Sequence, residues 1–335
     1  MGIPEPKDSA GETLWYAIAG PFRNSNMSSA AITSDTLGNI TVYQDSSITM
    51  VTSQAIAVVF APGAPLGTQN RDSTTTAACI TTGTTITRNL CATNYLETLG
   101  GINNATPALN TNPPSFIRGQ SSSTFNDSVL VMTNADLMPL VEQRVAREMM
   151  AILEQYRIAT GIYPWADRSD GVFNFGWNRN RFPCGTAGPT DWGSGGVPPL
   201  PAWLTNGCNC TLAGQRGWAC TIYYSVAQNK LDPGCTICSA SSLTVTNPSS
   251  RPADLCLTGV APVVCTPSVV SSGSADLVLI TAGAATANRT AGWPSTTFNP
   301  ITLYFEDAEN GGNNDDNYVV PTSTLNDRDR IYIVR

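Results

Sequence analysis

The 335-residue chain contains no histidine. That absence removes Ser-His-Asp and Cys-His nucleophile systems, His-ligated metals and any His general base. Acid–base chemistry would fall to carboxylates, Tyr, Lys or Cys. The densest set of oxygen donors runs from Glu306 to Asn317 and includes Asp307, Glu309, Asp315 and Asp316. Carboxylates and amides in a Gly-containing loop suit Ca²⁺, which takes about 6–8 oxygens, although the spacing is not that of an EF-hand. A solvated acidic turn accounts for the same residues and is the reading preferred. A second group, Asp167, Asp170 and Asp191, lies among Trp165, Phe173, Phe175, Trp177 and Trp192. Carboxylates beside aromatic platforms fit sugar binding or a glycosidase pair, and an aromatic mini-core under a long loop fits them better.

Cysteine is the other reactive side chain. There are ten: Cys79, Cys91, Cys184, Cys208, Cys210, Cys220, Cys235, Cys238, Cys256 and Cys265. They sit in Gly-, Pro-, Ser- and Thr-rich stretches, and their number is even. Disulfides formed in an oxidising compartment are the favoured reading. Zinc held by Cys208, Cys210, Cys235 and Cys238 is the alternative. The isolated pair Cys79 and Cys91 would close a short Thr-rich loop. Connectivity among the other eight stays open.

Only 13% of the residues are charged, and the formal net charge is −7. No basic stripe is present for nucleic acid, and no polybasic segment for anionic lipid. No run is long and apolar enough to span a membrane, and no signal peptide opens the chain. Oxidised cysteines nonetheless demand export. The expectation is therefore that Met1 stands in place of a removed N-terminal segment.

The elements that would position these groups repeat. Thr13–Ala19 matches Thr221–Ala227, and Asn39–Val42 matches Ser242–Val245. Ala55–Gly63 matches Ala275–Gly283, and Asn94–Glu97 matches Leu303–Glu306. Ser123–Asp127 with Val129–Met132 matches Ser323–Asp327 with Ile331–Val334. The order is the same in both halves, at an offset of roughly 200–220 residues. Each piece reads as a strand, β-branched or aromatic and bounded by turn residues. Val58-Val59-Phe60 and Leu277–Ile280 read as central strands buried on both faces. Asp127 and Asp327 read as turn residues bonding their own backbone two residues on, and not as catalytic groups.

One helix is expected between the halves, over 136–160. Asn134 is its expected N-cap and Pro139 falls in its first turn. Leu137, Val141, Val145, Ile152 and Tyr156 make the apolar face, while Glu142, Arg144, Arg147 and Glu148 are polar surface. Gly161 and Pro164 end it.

The helix and its exit, Leu140 to Tyr156 and then Gly161-Ile162-Tyr163-Pro164-Trp165, resemble the pilin and pseudopilin families. In those families a long N-terminal helix gives way to a small antiparallel sheet. The opening Gly2–Gly11 leading to Trp15-Tyr16-Ala17-Ile18 resembles the same passage from helix to first strand, with Ala10 where Trp is usual. The resemblance covers most of the chain apart from residues 166–265. It implies an α+β fold of two pilin-like modules, each a small antiparallel β-sheet. The first module, 1–134, would lack its helix. The second, 135–335, would hold helix 136–160, a Cys-rich, irregular insert at about 166–265 and terminal strands at about 275–335.

The implied function is that of a non-enzymatic structural subunit of a type IV pilus or type II secretion pseudopilus, minor or tip-located. Its partners would be other pilin or pseudopilin subunits, and the inner membrane through a missing N-terminal helix. A surface glycan or protein ligand would be an additional partner, and nucleic acid none. Localisation would be the periplasm or cell surface of a bacterium. Calcium in a C-terminal loop, familiar from pseudopilins, would make Asp307, Glu309, Asp315 and Asp316 its ligands; no other cofactor is implied. The alternatives are a secreted adhesin or carbohydrate-binding protein and, behind it, a carboxylate-dependent glycoside hydrolase.

Overall fold

The computed structural model describes residues 5–23, 32–45, 47–79, 85–106, 113–166, 179–182, 200–201, 218, 222–231, 243–246, 252–257, 264–269, 273–281, 283, 317–319 and 330–334. They form an α+β protein of small sheets and one long helix. The chain divides into two compact units, residues 1–27 with 36–137 and residues 28–35 with 138–335.

The first unit runs through β1 (Trp15–Ile18), β2 (Ile40–Gln44), β3 (Thr49–Ala55) and β4 (Ala57–Ala61). Two short pairs follow, β5 (Thr76–Ala78) with β6 (Thr85–Thr87) and β7 (Thr98–Leu99) with β8 (Ile102–Asn103). β9 (Ser115–Arg118) and β10 (Ser128–Met132) complete it. One three-stranded sheet has the order β1-β4-β10 and is antiparallel throughout. The other has the order β3-β2-β9, with β2 antiparallel to β3 but parallel to β9. Ile56 is the switch between sheets. Its N–H donates to the Met132 carbonyl and its own carbonyl accepts from the Ala19 N–H, so the chain leaves β3 and enters β4 without an unpaired amide.

α1 (Asn134–Thr160) leads into the second unit, which contains β11 (Arg179–Arg181), β12 (Ile222–Val226), β13 (Leu243–Thr246), β14 (Pro252–Leu257) and β15 (Val264–Val269). β16 (Gly273–Ala275), β17 (Leu277–Thr281), β18 (Asn317–Val319) and β19 (Arg330–Val334) follow. Here β12-β17-β19 reproduces β1-β4-β10, and β16-β13-β18 reproduces β3-β2-β9. The correspondence extends to register. Trp15 opposes Phe60 as Tyr223 opposes Ile280, and Leu130 opposes Val59 as Tyr332 opposes Leu279. Asp276 repeats the switch of Ile56, donating to the Val334 carbonyl and accepting from Ala227. Additions in the second unit are β11 beside β12, and the hairpin β14–β15 running parallel to β19 through β14.

Three expectations about the strands need correcting. The sheets are not purely antiparallel: β2 with β9, β13 with β18 and β14 with β19 are parallel pairs. A parallel pair needs a long connection, and β3 to β8 lie between β2 and β9; strand composition carries no record of direction. Residues 166–265 are not uniformly irregular, because β11 to β14 lie within them. β17 is buried at every residue, but β4 only at Val58 and Phe60. Its other face, with Ala57 and Val59, is half-exposed, so β4 is not a strand buried on both sides.

The helix differs at its start and on one face. It begins at Asn134, so Pro139 falls in the second turn and removes the donor for the Ala135 carbonyl. Thr133 is the capping residue: its N–H and its hydroxyl both donate to the Asp136 carboxylate. Those two donors hold the Asp136 carboxyl below its ordinary value. The Asn134 amide instead donates to the Thr36 carbonyl at 2.7 Å. The apolar face is Val145, Ala146, Met149, Met150, Leu153 and Tyr156, with Val141 and Ile152 at its margin. Glu142 lies buried rather than on the polar surface, accepting from Ser34 and paired with Arg330 at 3.0 Å.

Below α1, Tyr163, Trp165 and Phe182 extend the core toward Tyr224, whose hydroxyl donates to the Pro164 carbonyl at 2.8 Å. Tyr224 is fully buried, and burial raises its phenol well above the ordinary value. Tyr224→Phe leaves that carbonyl without its donor and is expected to cost about 1–2 kcal/mol. Chemical denaturation followed at the second unit measures it; an unchanged midpoint would show that water replaces the hydroxyl.

Candidate functional site

Two features of the first unit stand out, a carboxyl pair of buried Asp127 and half-buried Glu97, and an uncovered apolar face. The pair is built where three loops converge. The Glu97 carboxylate accepts the N–H groups of Asn126 (2.9 Å) and Asp127 (3.2 Å) through Oε2, and Gln69 Nε2 (2.7 Å) through Oε1. In return Asp127 Oδ2 accepts the Glu97 N–H at 3.0 Å and Asn104 Nδ2 at 2.8 Å. Asn104 also exchanges two hydrogen bonds with the Ile117 backbone of β9. Behind Gln69 stands Arg71, which donates to Gln69, Asn94 and Gly63, pairs with Glu12 at 3.1 Å and lies over the Tyr95 ring.

Asp127 is buried, and its Oδ1 has no hydrogen-bond partner among the described residues. Burial first, and the adjacent Glu97 carboxylate after it, push the Asp127 carboxyl up to about 7 against the stabilising donors. The pair can hold a proton, but backbone and amide groups surround it, and that wiring suits a latch between loops better than a reaction centre. Asp127 thus bonds across some thirty residues of sequence, not to its own backbone two residues on; the short turn belongs to Ser122, whose hydroxyl accepts the N–H groups of Thr124 and Phe125. The sequence did carry a signal for it. Glu97 and Asp127 close the two repeated motifs that Glu306 and Asp327 close in the second half.

The uncovered face is one side of β1-β4-β10. Trp15, Ala17, Val58, Phe60, Val129 and Val131 point to the other side and join the core with Ile40, Val42, Tyr95 and Phe116. Tyr16, Val59 and Leu130 form a row across the outer side, flanked by Ile18, Ala57 and Met132. Tyr16 is 72% exposed and Leu130 63%. The equivalent row in the second unit, Tyr224, Leu279 and Tyr332, is at most 1% exposed and shares one buried cluster with the apolar face of α1.

The residues singled out in the sequence are distributed as follows. Cys79 and Cys91 form a disulfide, both buried. The backbones of Cys256 and Cys265 oppose each other across β14 and β15. Cys184, Cys208, Cys210, Cys220, Cys235 and Cys238 lie outside the described residues, as do Asp307, Glu309, Asp315 and Asp316. Asp167, Asp170 and Asp191 lie outside them too, whereas Trp165 is buried in the core beneath α1 and offers no sugar platform. Among the described residues no three His, Cys, Asp or Glu side chains are placed to hold a metal, and no helix is long and apolar enough to cross a membrane.

The Cys79–Cys91 bridge spans a separation of 12 residues, a loop for which closure entropy predicts about 3 kcal/mol of stabilisation. Replacing both cysteines with serine is expected to lower the first unit's unfolding free energy by that order, read by hydrogen exchange in peptides from 85–106. Unchanged exchange there would show that the hairpin holds without the bridge.

No protein-family model, no curated protein and no solved structure matches the chain.

Proposed function

We propose that this chain is a non-enzymatic, exported structural subunit of a bacterial type IV pilus or type II secretion pseudopilus, in a minor or tip position. The observation that carries the reading is the second unit's build. Its helix ends at Gly161, leaves through Ile162-Tyr163-Pro164, and lays its apolar face on the antiparallel β12-β17-β19 sheet. That is the arrangement expected of a pilin-like module, and the strand order and register of the first unit repeat it. The bridged Cys79–Cys91 loop fits an oxidising compartment. The acidic, His-free composition fits assembly better than catalysis or nucleic-acid binding.

In this reading the work of the protein is packing. A helix ahead of the first module anchors the precursor in the inner membrane and later joins other subunits in a filament core, and the two modules face outward. The test is the source cell's sheared surface or periplasmic filament fraction. Cofractionation with pilus or pseudopilus subunits, together with a prepilin-type leader on the precursor, is the expected result. A freely secreted chain released by an ordinary signal peptidase would overturn it and favour the adhesin alternative.

A further inference from the structure

Among the described residues the hairpin β14–β15 has no counterpart in the first unit, and its register brings two cysteines together. The antiparallel ladder pairs Leu255 with Thr266, Cys256 with Cys265 and Leu257 with Val264. Directly opposed residues of antiparallel strands have Cα atoms about 4.5–5.5 Å apart, whichever kind of pair they form. A disulfide needs about 4.4–6.8 Å. Opposed residues also share one face of the sheet, because successive positions alternate on both strands together. The row continues inward, with Cys265, Cys256, Val334, Leu277 and Val226 in register across β15, β14, β19, β17 and β12. A slip of one residue would put the two cysteines on opposite faces. The register therefore meets both backbone requirements of a bridge, distance and face.

We infer that Cys256 and Cys265 form a disulfide that clasps the β14–β15 hairpin. The thiolate of one attacks the disulfide of an exchange partner, forming a mixed disulfide and releasing one partner thiol. The other cysteine then attacks the mixed disulfide and releases the second partner thiol. The chain thus gives up two electrons and two protons, and the partner disulfide is reduced to two thiols. The oxidation that forms the Cys79–Cys91 bridge is enough to form this one. The hairpin has reason to need it. Among the described residues β15 has β14 as its sole neighbour. The pairs Pro252 with Val269 and Asp254 with Pro267 each include a proline, which brings no N–H to the ladder. A two-stranded extension short of donors is weak, and a bridge beside the 258–263 connection both closes it and fixes its register. With these two paired, connectivity stays open only among Cys184, Cys208, Cys210, Cys220, Cys235 and Cys238. Zinc on Cys208, Cys210, Cys235 and Cys238 would compete with bridges within that set alone.

The inference rests on strand register and is independent of filament membership. Its test is a digest of the full chain, with free thiols first blocked by maleimide in denaturant. Pepsin then cuts at Leu257 without reductant, in acid that keeps thiols protonated and stops exchange. The expected product is an unlabelled fragment carrying Cys256 joined to one carrying Cys265, separating on reduction. Cys79–Cys91 in the same digest is the internal reference. Maleimide on Cys256 and Cys265 beside an intact Cys79–Cys91 bridge would overturn the inference and leave export standing. Maleimide on all four would remove the exported reading with it. A bond from either residue to another cysteine would also overturn it. In Cys256→Ser the label is expected at Cys265 alone, and a label elsewhere would count against the pairing. The clasp has its own readout in Cys256→Ser combined with Cys265→Ser. Hydrogen exchange in 252–257 and 264–269 is expected to rise by about tenfold or more while 57–61 is unchanged. Unchanged exchange in the hairpin would overturn the clasp even with the bond present in the parent.

Discussion

Tyr332→Ala is expected to destabilise the second unit by about 3–5 kcal/mol, while Leu130→Ala at the matching position of the first changes stability by less than about 0.5 kcal/mol. The two residues sit on equivalent strands, opposite Leu279 and Val59 in the same register. Position and backbone are thus held constant, and only the cover differs. Tyr332 is 1% exposed within the cluster under α1, so its removal leaves a cavity bordered by a helix and a sheet that cannot both relax. Leu130 already faces water and leaves none. The chain has two units, so a single unfolding midpoint would mix them. Hydrogen exchange resolved by peptide separates β17 from β4. Comparable losses at both positions would mean that Leu130 is covered in solution, and the contrast drawn between the two faces would be wrong.

The repeat shows which parts of this fold were legible and why. Continuous apolar runs rich in β-branched residues mark Ala57–Ala61 and Leu277–Thr281 as strands, and matching them in order brings out two copies of one topology. What local pattern lacks is anything fixed by residues far away in sequence. β4 and β17 have equally apolar sequences, and only the presence of α1 on one decides that β17 is buried on both faces. Glu142 reads as helix surface until Ser34 and Arg330 are brought to it from either end of the chain. Thr133 takes the cap because the helix starts one residue later, at Asn134, whose amide donates to the Thr36 carbonyl. The parallel pairing of β2 with β9 depends on the route of the intervening chain, which composition does not encode. Glu97 and Asp127 were visible as the ends of repeated motifs, but not as neighbours, because nothing in either motif states which loop it meets.

That neighbourhood carries a pH dependence of definite sign. The Asp127 carboxyl titrates near 3.8 when the chain is unfolded and at about 7 in the folded unit. Between those limits the folded state holds a proton that the unfolded state has released, so stability falls as pH rises through the window and is level above it. A tenfold difference in proton affinity between the two states is worth about 1.4 kcal/mol, which makes the loss between pH 4 and pH 7 a few kcal/mol. Asp127→Asn is expected to abolish it. The amide oxygen keeps the Glu97 N–H and Asn104 Nδ2 as donors, and the neutral amide has no proton to release. The variant should match the parent near pH 4, exceed it increasingly as pH rises through the window, and exceed it most at pH 8, measured by hydrogen exchange of peptides spanning 94–106 and 113–132. Asp127→Ala separates the proton from the wiring: it removes the titration but also leaves the Glu97 N–H and Asn104 Nδ2 without an acceptor, and should be less stable than the parent at pH 5. If the Asn variant keeps the parent's slope, the proton resides elsewhere in the network. If it is weaker than the parent at pH 8, Asp127 works as a carboxylate, and the loops are held by its charge rather than by the proton it shares with Glu97.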